Sequence, residues 1–115
     1  MIIGGGFGGT EVAKYLQHFA RVDIIDTKEF FEFTPSILRA VVEPQKLRTI
    51  QVSHSTFLPA CTLHIGKANS IDVDSNTVSY IPELSDAKQT LNFDYLLISS
   101  GSAYSSYKVN YGLVT

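Results

Sequence analysis

Only one cysteine, Cys61, occurs among the 115 residues, so neither an internal disulfide nor a cysteine zinc site is available. Charge is sparse as well. Asp, Glu, Lys and Arg make up 17% of the chain, against about 25% in ordinary globular proteins. That low density argues against a disordered, charge-solvated chain. Lys and Arg form no run and the formal net charge is −2, so the electrostatic footprint of a nucleic-acid binder is missing. No apolar stretch approaches the roughly 20 residues of a membrane span. No targeting segment is visible ahead of residue 4, the pattern expected of a cytoplasmic or mitochondrial chain, or of one whose N-terminal portion lies further upstream. No internal repeat occurs, and no Pro-, Gly- or Ser-rich linker divides the sequence. What is present is apolar material. The hydrophobic share is 44%, with 7 Phe and 6 Tyr, enough for a core in a single domain whose stability is never far from marginal.

The order of elements is legible from periodicity. Ile2 and Ile3 form a short apolar strand, and a glycine-rich stretch follows at once. Residues 10–20 carry Val12, Leu16, Phe19 and Ala20 at one-faced helical spacing. Val22, Ile24 and Ile25 make a second short strand ending at Asp26, completing a parallel βαβ unit. Residues 28–33 are aromatic and irregular. Thr34 and Pro35 have the chemistry of an N-cap and a first helical residue, with Ile37, Leu38, Val41 and Val42 as the apolar face and Glu43-Pro44 as the stop. Residues 49–52 and 62–65 are weak strand candidates. Residues 67–73 and 77–81 alternate in polarity around Asp74-Ser75-Asn76, a hairpin, and residues 91–93 offer a third meander strand beyond a polar loop at 82–89. Residues 94–101 read as a buried strand entering a small-residue turn.

The glycine stretch carries the chemistry. Gly4-Gly5-Gly6-Phe7-Gly8-Gly9 contains G-x-G-x-x-G at Gly4, Gly6 and Gly9. In such a loop the first glycine allows the tight turn, the second lets a pyrophosphate approach the backbone, and the third lets helix and strand pack closely. The helix N-terminus then presents its N–H groups and dipole to the phosphates. A glycine run alone also fits a plain turn. Here a strand precedes it, a patterned helix follows, and Asp26 stands 22 residues beyond Gly4 at the end of the second strand. A carboxylate there accepts hydrogen bonds from a ribose diol and repels a 2′-phosphate. The motif leaves FAD and NAD both open.

The continuation past Asp26 carries a family likeness. Ile2-Ile3-Gly4-Gly5-Gly6-Phe7-Gly8-Gly9, Val22-Asp23-Ile24-Ile25-Asp26, Phe33-Thr34-Pro35-Ser36-Ile37-Leu38-Arg39-Ala40 and Phe93-Asp94-Tyr95-Leu96-Leu97-Ile98-Ser99-Ser100-Gly101-Ser102 follow one another in order. Together they resemble the N-terminal flavin portion of the FAD-dependent pyridine nucleotide-disulfide oxidoreductases, in the branch of the apoptosis-inducing-factor-like enzymes and the type II NADH:quinone dehydrogenases. The last segment is similar to that family's second signature, with Ser99-Ser100-Gly101 where Ala-Thr-Gly is usual. The resemblance implies an α/β fold: a Rossmann-like FAD-binding βαβ unit with an antiparallel β-meander, incomplete. It implies a flavoprotein that oxidises NAD(P)H and passes electrons to a quinone or similar acceptor. It also implies site residues. Gly4, Gly5, Gly6, Phe7, Gly8 and Gly9 would hold the FAD pyrophosphate and Asp26 the adenosine ribose. Lys28 would lie near the adenosine, Thr34 and Pro35 toward the flavin, Ala68 against adenine through its backbone, and Ser100 and Gly101 close to the cofactor. Hydride chemistry would belong to the flavin.

Other features carry less. The dithiol of the disulfide-reducing branch is absent, because Cys61 stands alone and reads as a small buried residue. His18, His54 and His64 lack metal-ligand spacing and read as surface or satisfied histidines. Ser53-His54-Ser55 has no G-x-S-x-G elbow to make it a hydrolase site. The aromatics of residues 29–33 read as core or cofactor-cleft packing rather than a partner surface. Tyr104 and Lys108 have the Tyr-x-x-x-Lys spacing of a short-chain reductase but follow no helical pattern.

The departure from the family is length. No second G-x-G-x-x-G follows Gly9, so residues 1–115 are expected to be a partial FAD-binding domain without the NAD(P)H domain and the later segment that completes the sheet. Alone, the chain is expected to bind FAD weakly and not to oxidise NAD(P)H. The alternatives are a truncated, non-catalytic nucleotide-binding or interaction module and an NAD-only Rossmann domain.

Overall fold

A computed structural model of the chain describes residues 1–102. The Tyr104 and Lys108 spacing lies outside the described residues. The N-terminal βαβ unit is β1 (Ile2–Ile3), α1 (Phe7–Leu16) and β2 (Val22–Asp26). An excursion follows: β3 (Phe30–Glu32), a 3-10 turn (Thr34–Ser36), α2 (Ile37–Val42), a second 3-10 turn (Pro44–Lys46), α3 (Leu47–Ile50), β4 (Gln51–Ser53) and α4 (His54–Phe57). The chain then runs through β5 (Cys61–Asp72), β6 (Thr77–Pro82), β7 (Gln89–Asn92) and β8 (Leu97–Ile98).

Six strands form one sheet in the order β7-β6-β5-β2-β1-β8, while β3 and β4 pair separately. Strands β5, β2, β1 and β8 are parallel, with Ile2 beside Ile24 and Leu97, and Asp26 beside Ile65. Strands β5, β6 and β7 are antiparallel. The predicted α/β architecture, a Rossmann-like βαβ unit joined to a meander, is therefore what forms. Strand β5 is the hinge between its parts. The sequence suggests two strands, at 62–65 and 67–73, but they are one. Its first half pairs with β2 and its second half with β6, with an irregularity between Ala68 and Ser70.

Period-two alternation divides the core between the two faces of the sheet. Ile2, Val22 and Ile24 pack with Ala13 of α1 and Leu58 on one face, and Ile3 and Ile25 with Val78 and Tyr80 on the other. The meander thus curls over the face opposite α1.

Several local expectations shift. Helix α1 begins at Phe7, not residue 10, and ends at Leu16. Its buried face is Gly9, Thr10 and Ala13 rather than Val12, Leu16, Phe19 and Ala20, and Phe19 is 72% exposed. The cause is proximity: the helix lies so near the loop that only small residues fit beneath it. Residues 30–32, expected irregular, form β3. Thr34 does not cap a helix. Phe33 holds the N-cap position and Pro35 stands within a 3-10 turn, so the α-helix starts two residues later at Ile37. Glu43 leaves helical geometry before Pro44, as a following proline requires. Helix α2 buries none of its residues, and Leu38, Val41 and Val42 are each more than three-quarters exposed. Within residues 94–101 only Leu97 and Ile98 form strand. Their partner β1 offers just two residues, so the ladder can be no longer.

A polar cluster ties β2 to the meander. His64 Nε2 donates to Asp23 Oδ1 at 2.8 Å, Arg21 Nε donates to Asp23 Oδ2 at 3.2 Å, and Tyr80 Oη lies 3.3 Å from His64 Nδ1. Burial pushes the Asp23 carboxyl up, but the His64 hydrogen bond and Arg21 outweigh it, and the group lies below its ordinary value. Asp23 therefore stabilises the fold above the ordinary carboxylate range and loses that contribution as pH falls through its folded value. Thermal unfolding measured from neutral to acid pH should show wild type ahead of Asp23→Asn at neutrality, with the gap closing in acid; a pH-independent gap would refute this assignment.

Candidate dinucleotide-binding site

The glycine loop lies where the chain leaves β1 and enters α1, at the carboxyl end of the parallel strands. The strand order also reverses here, since β2 lies on one side of β1 and β8 on the other. In open α/β sheets this crevice is the ligand position.

The glycines have different surroundings. Gly4 has φ +101°, a conformation that L side chains rarely adopt, and its N–H donates to Ile25 O at 2.9 Å. A Cβ on Gly9 would run into the Gly4 carbonyl, and Ser99 Oγ would lie 2.8 Å away. A Cβ on Gly6 would meet nothing within 4 Å. So Gly4 makes the turn, Gly9 lets the helix close on the strand, and Gly6 borders open space. Gly6 is also the N-cap of α1; its carbonyl accepts from Thr10 N–H at 2.9 Å and Thr10 Oγ1 at 2.7 Å. The first turn of α1 holds no acidic side chain, so the helix itself carries no charge there that opposes its dipole's attraction for an anion.

Asp26 is brought to the loop. Gly5 N–H donates to its Oδ2, and Lys28 N–H to its Oδ1 at 2.8 Å. A carboxylate has about four acceptor positions, so these bonds orient the group and leave capacity for a diol. Phe7 closes the other flank, with its ring 5.0 Å from Phe31 and 5.6 Å from Phe33. The aromatic segment thus packs on Phe7, with Phe33 43% exposed. The Lys28 ammonium pairs with Glu32 at 3.6 Å and lies over the Phe30 ring. Thr34 and Pro35 are exposed just past this aromatic group. Ala68 lies three residues beyond Ile65, the partner of Asp26, and packs on the Ile3 and Ile25 face. Ser100 and Gly101 follow β8, and Gly101 has φ +72°.

Two residues to which the sequence reading gave no part in the loop hold it in place. Ser99 N–H donates to Ile3 O at 2.8 Å, and its hydroxyl reaches the Ile3 and Gly4 carbonyls at 3.1 and 2.9 Å. It occupies the usual alanine of the second signature, and that departure was the available signal. His54, 49 residues from the loop in sequence, is 1% exposed with Nε2 2.9 Å from Gly5 O. Nothing in Ser53-His54-Ser55 announces its burial. His18 is exposed, and His64 serves the Asp23 cluster. Cys61 is half-buried, and burial with the nearby Asp23 charge pushes its thiol up, away from reactivity.

No group of three metal-ligating side chains occurs among the described residues, and none of their helices is long and apolar enough to cross a membrane. A groove of about 870 Å³ between α1 and residues 90–97 contains none of the loop glycines.

The glycine geometry separates packing from ligand access. Gly9→Ala should cost about 1–3 kcal/mol through overpacking against backbone, whereas Gly6→Ala should stay within about 1 kcal/mol of wild type. Chemical denaturation of both variants checks this; equal losses would contradict the assigned roles.

Comparisons with known proteins bear on the family and the fold. The chain is 37% identical over 102 residues to apoptosis-inducing factor homolog B of Dictyostelium discoideum, covering 89% of this chain and 24% of that protein. It is 30% identical over 106 residues to the sulfide-quinone reductase of Aquifex aeolicus, covering 88% and 24%. The solved structure of the Aquifex enzyme superposes with a TM-score of 0.71 over 84% of this chain and 23% of that one. The fold also matches NDH2 from Plasmodium falciparum at a TM-score of 0.84, with 20% identity over 95% of this chain and 23% of that one. The chain thus spans about a quarter of the length of the curated relatives it matches. Residues 1–112 match the pyridine nucleotide-disulphide oxidoreductase family, and the chain belongs to it.

Proposed function

We propose that this chain supplies the FAD-binding site of an NAD(P)H-oxidising flavoprotein. The carrying observation is the pairing of open backbone at Gly6 with an oriented carboxylate at Asp26. The residues fit the cofactor. Gly4, Gly5, Gly6, Phe7, Gly8 and Gly9 form the pyrophosphate cradle at the N-terminus of α1. Asp26 takes the adenosine ribose hydroxyls with its remaining lone pairs, and Lys28 flanks the adenosine. Ala68 meets adenine through its backbone. Thr34 and Pro35 lie toward the flavin, and Ser100 and Gly101 pass beside the cofactor. When bound, FAD supplies the electron transfer between nicotinamide and acceptor. The chain's own residues bind and orient it.

A quinone-type acceptor is the finer reading. It is supported by the Aquifex relative, whose name states that it reduces a quinone. Because the chain spans about a quarter of its relatives, we assign residues 1–115 to part of the flavin domain. The NAD(P)H site and the segment completing the sheet belong to the portion of the family not represented here.

Fluorescence titration of FAD into the chain should give weak but saturable binding, with no NADH oxidation. Gly6→Ala and Asp26→Ala should each weaken it by about tenfold or more. ADP-ribose should compete, and its 2′-phosphorylated form should not, because Asp26 repels the added charge. Wild-type affinity in Gly6→Ala would sink the proposal.

A further inference from the structure

His54 is the only buried histidine among the described residues. Its Nε2 lies 2.9 Å from Gly5 O. A carbonyl oxygen only accepts, so Nε2 carries a hydrogen and donates. Its Nδ1 is buried with no partner. The ring therefore presents an Nε2–H donor to Gly5.

This places a side chain on each polar group of Gly5. The carbonyl is held by His54 and the N–H by Asp26. A Cβ on Gly5 would lie 2.8 Å from His54 Nε2 and 3.0 Å from Asp26 Oδ2, so the clamp closes only on glycine. The clamp fixes the next peptide. In a planar trans peptide, the carbonyl of one residue and the N–H of the next point in opposite directions. With the Gly5 carbonyl drawn to His54, the Gly6 N–H points the opposite way, away from the His54 ring. His54 is itself secured. Its N–H donates to Glu29 O at 3.1 Å, and its ring lies 5.9 Å from Phe57.

We propose that His54 is a positioning residue of the dinucleotide loop. It aims the Gly6 N–H at the pyrophosphate by holding the Gly5 carbonyl from behind. This rests on the FAD reading above and assigns to the excursion between β2 and β5 a part in cofactor affinity.

The test uses the full 115-residue chain, with FAD and ADP as probes for wild type, His54→Phe and His54→Gln. Phenylalanine fills the space without a donor, and glutamine restores an N–H donor. FAD and ADP should both weaken by about three- to tenfold in His54→Phe, the worth of one hydrogen bond. His54→Gln should recover most of that loss. The Gly6 amide resonance should move on ADP addition in wild type and less in His54→Phe. In the wild-type chain, ¹⁵N spectra of the ring should show a hydrogen on Nε2, a reading that needs no folded variant. A ring with no hydrogen on Nε2 would overturn the inference. So would FAD and ADP affinities equal in wild type and His54→Phe. A wild-type chain that binds neither probe would overturn the FAD reading first, and this inference with it.

Discussion

The approach of α1 to the turn after β1 is the constraint on which the rest depends. Gly9 lies against the Gly4 carbonyl with no room for a Cβ. That proximity selects Thr10 and Ala13 as the buried helix face and leaves Val12 and Leu16 at the margin. It also brings the helix N-terminus to the carboxyl end of β1, where N–H groups without helical partners face outward. The anion site proposed at the loop rests on the packing of the helix behind it.

Side chains from three distant parts of the chain hold the loop: Asp26 from β2, Ser99 from the turn after β8 and His54 from α4. Each engages backbone that would otherwise need water or a ligand. A short glycine segment loses more conformational entropy on ordering than any other sequence, so an unbraced loop would order only on binding and at a cost in affinity. Bracing from behind moves part of that ordering into folding.

Strand β5 solves a different problem. A parallel sheet needs cover on both faces, and α1 covers only one. By changing partner from β2 to β6 midway, β5 carries the meander onto the other face, where Val78 and Tyr80 seal Ile3 and Ile25. The Asp23, His64 and Tyr80 cluster fastens the two halves of this arrangement. The apolar residues of α2 have no such cover among the described residues.

The sequence by itself determined the βαβ unit, the hairpin and the likeness that named the family. These are local matters: Ile-rich runs, helical spacing, turn residues at 74–76 and glycines where backbone must bend or approach. It also determined the loop glycines and Asp26, because their spacing is a property of one strand–helix–strand unit. Only the tertiary structure decided that α1 begins at Phe7, that residues 30–32 pair with β4, that two apparent strands are one, and that α2 turns an apolar face outward. The first three depend on a partner remote in sequence, and the last on the lack of one among the described residues. His54 shows the point most plainly. A histidine between two serines carries no sign of burial, and its role exists only because the excursion folds back to put an N–H behind Gly5.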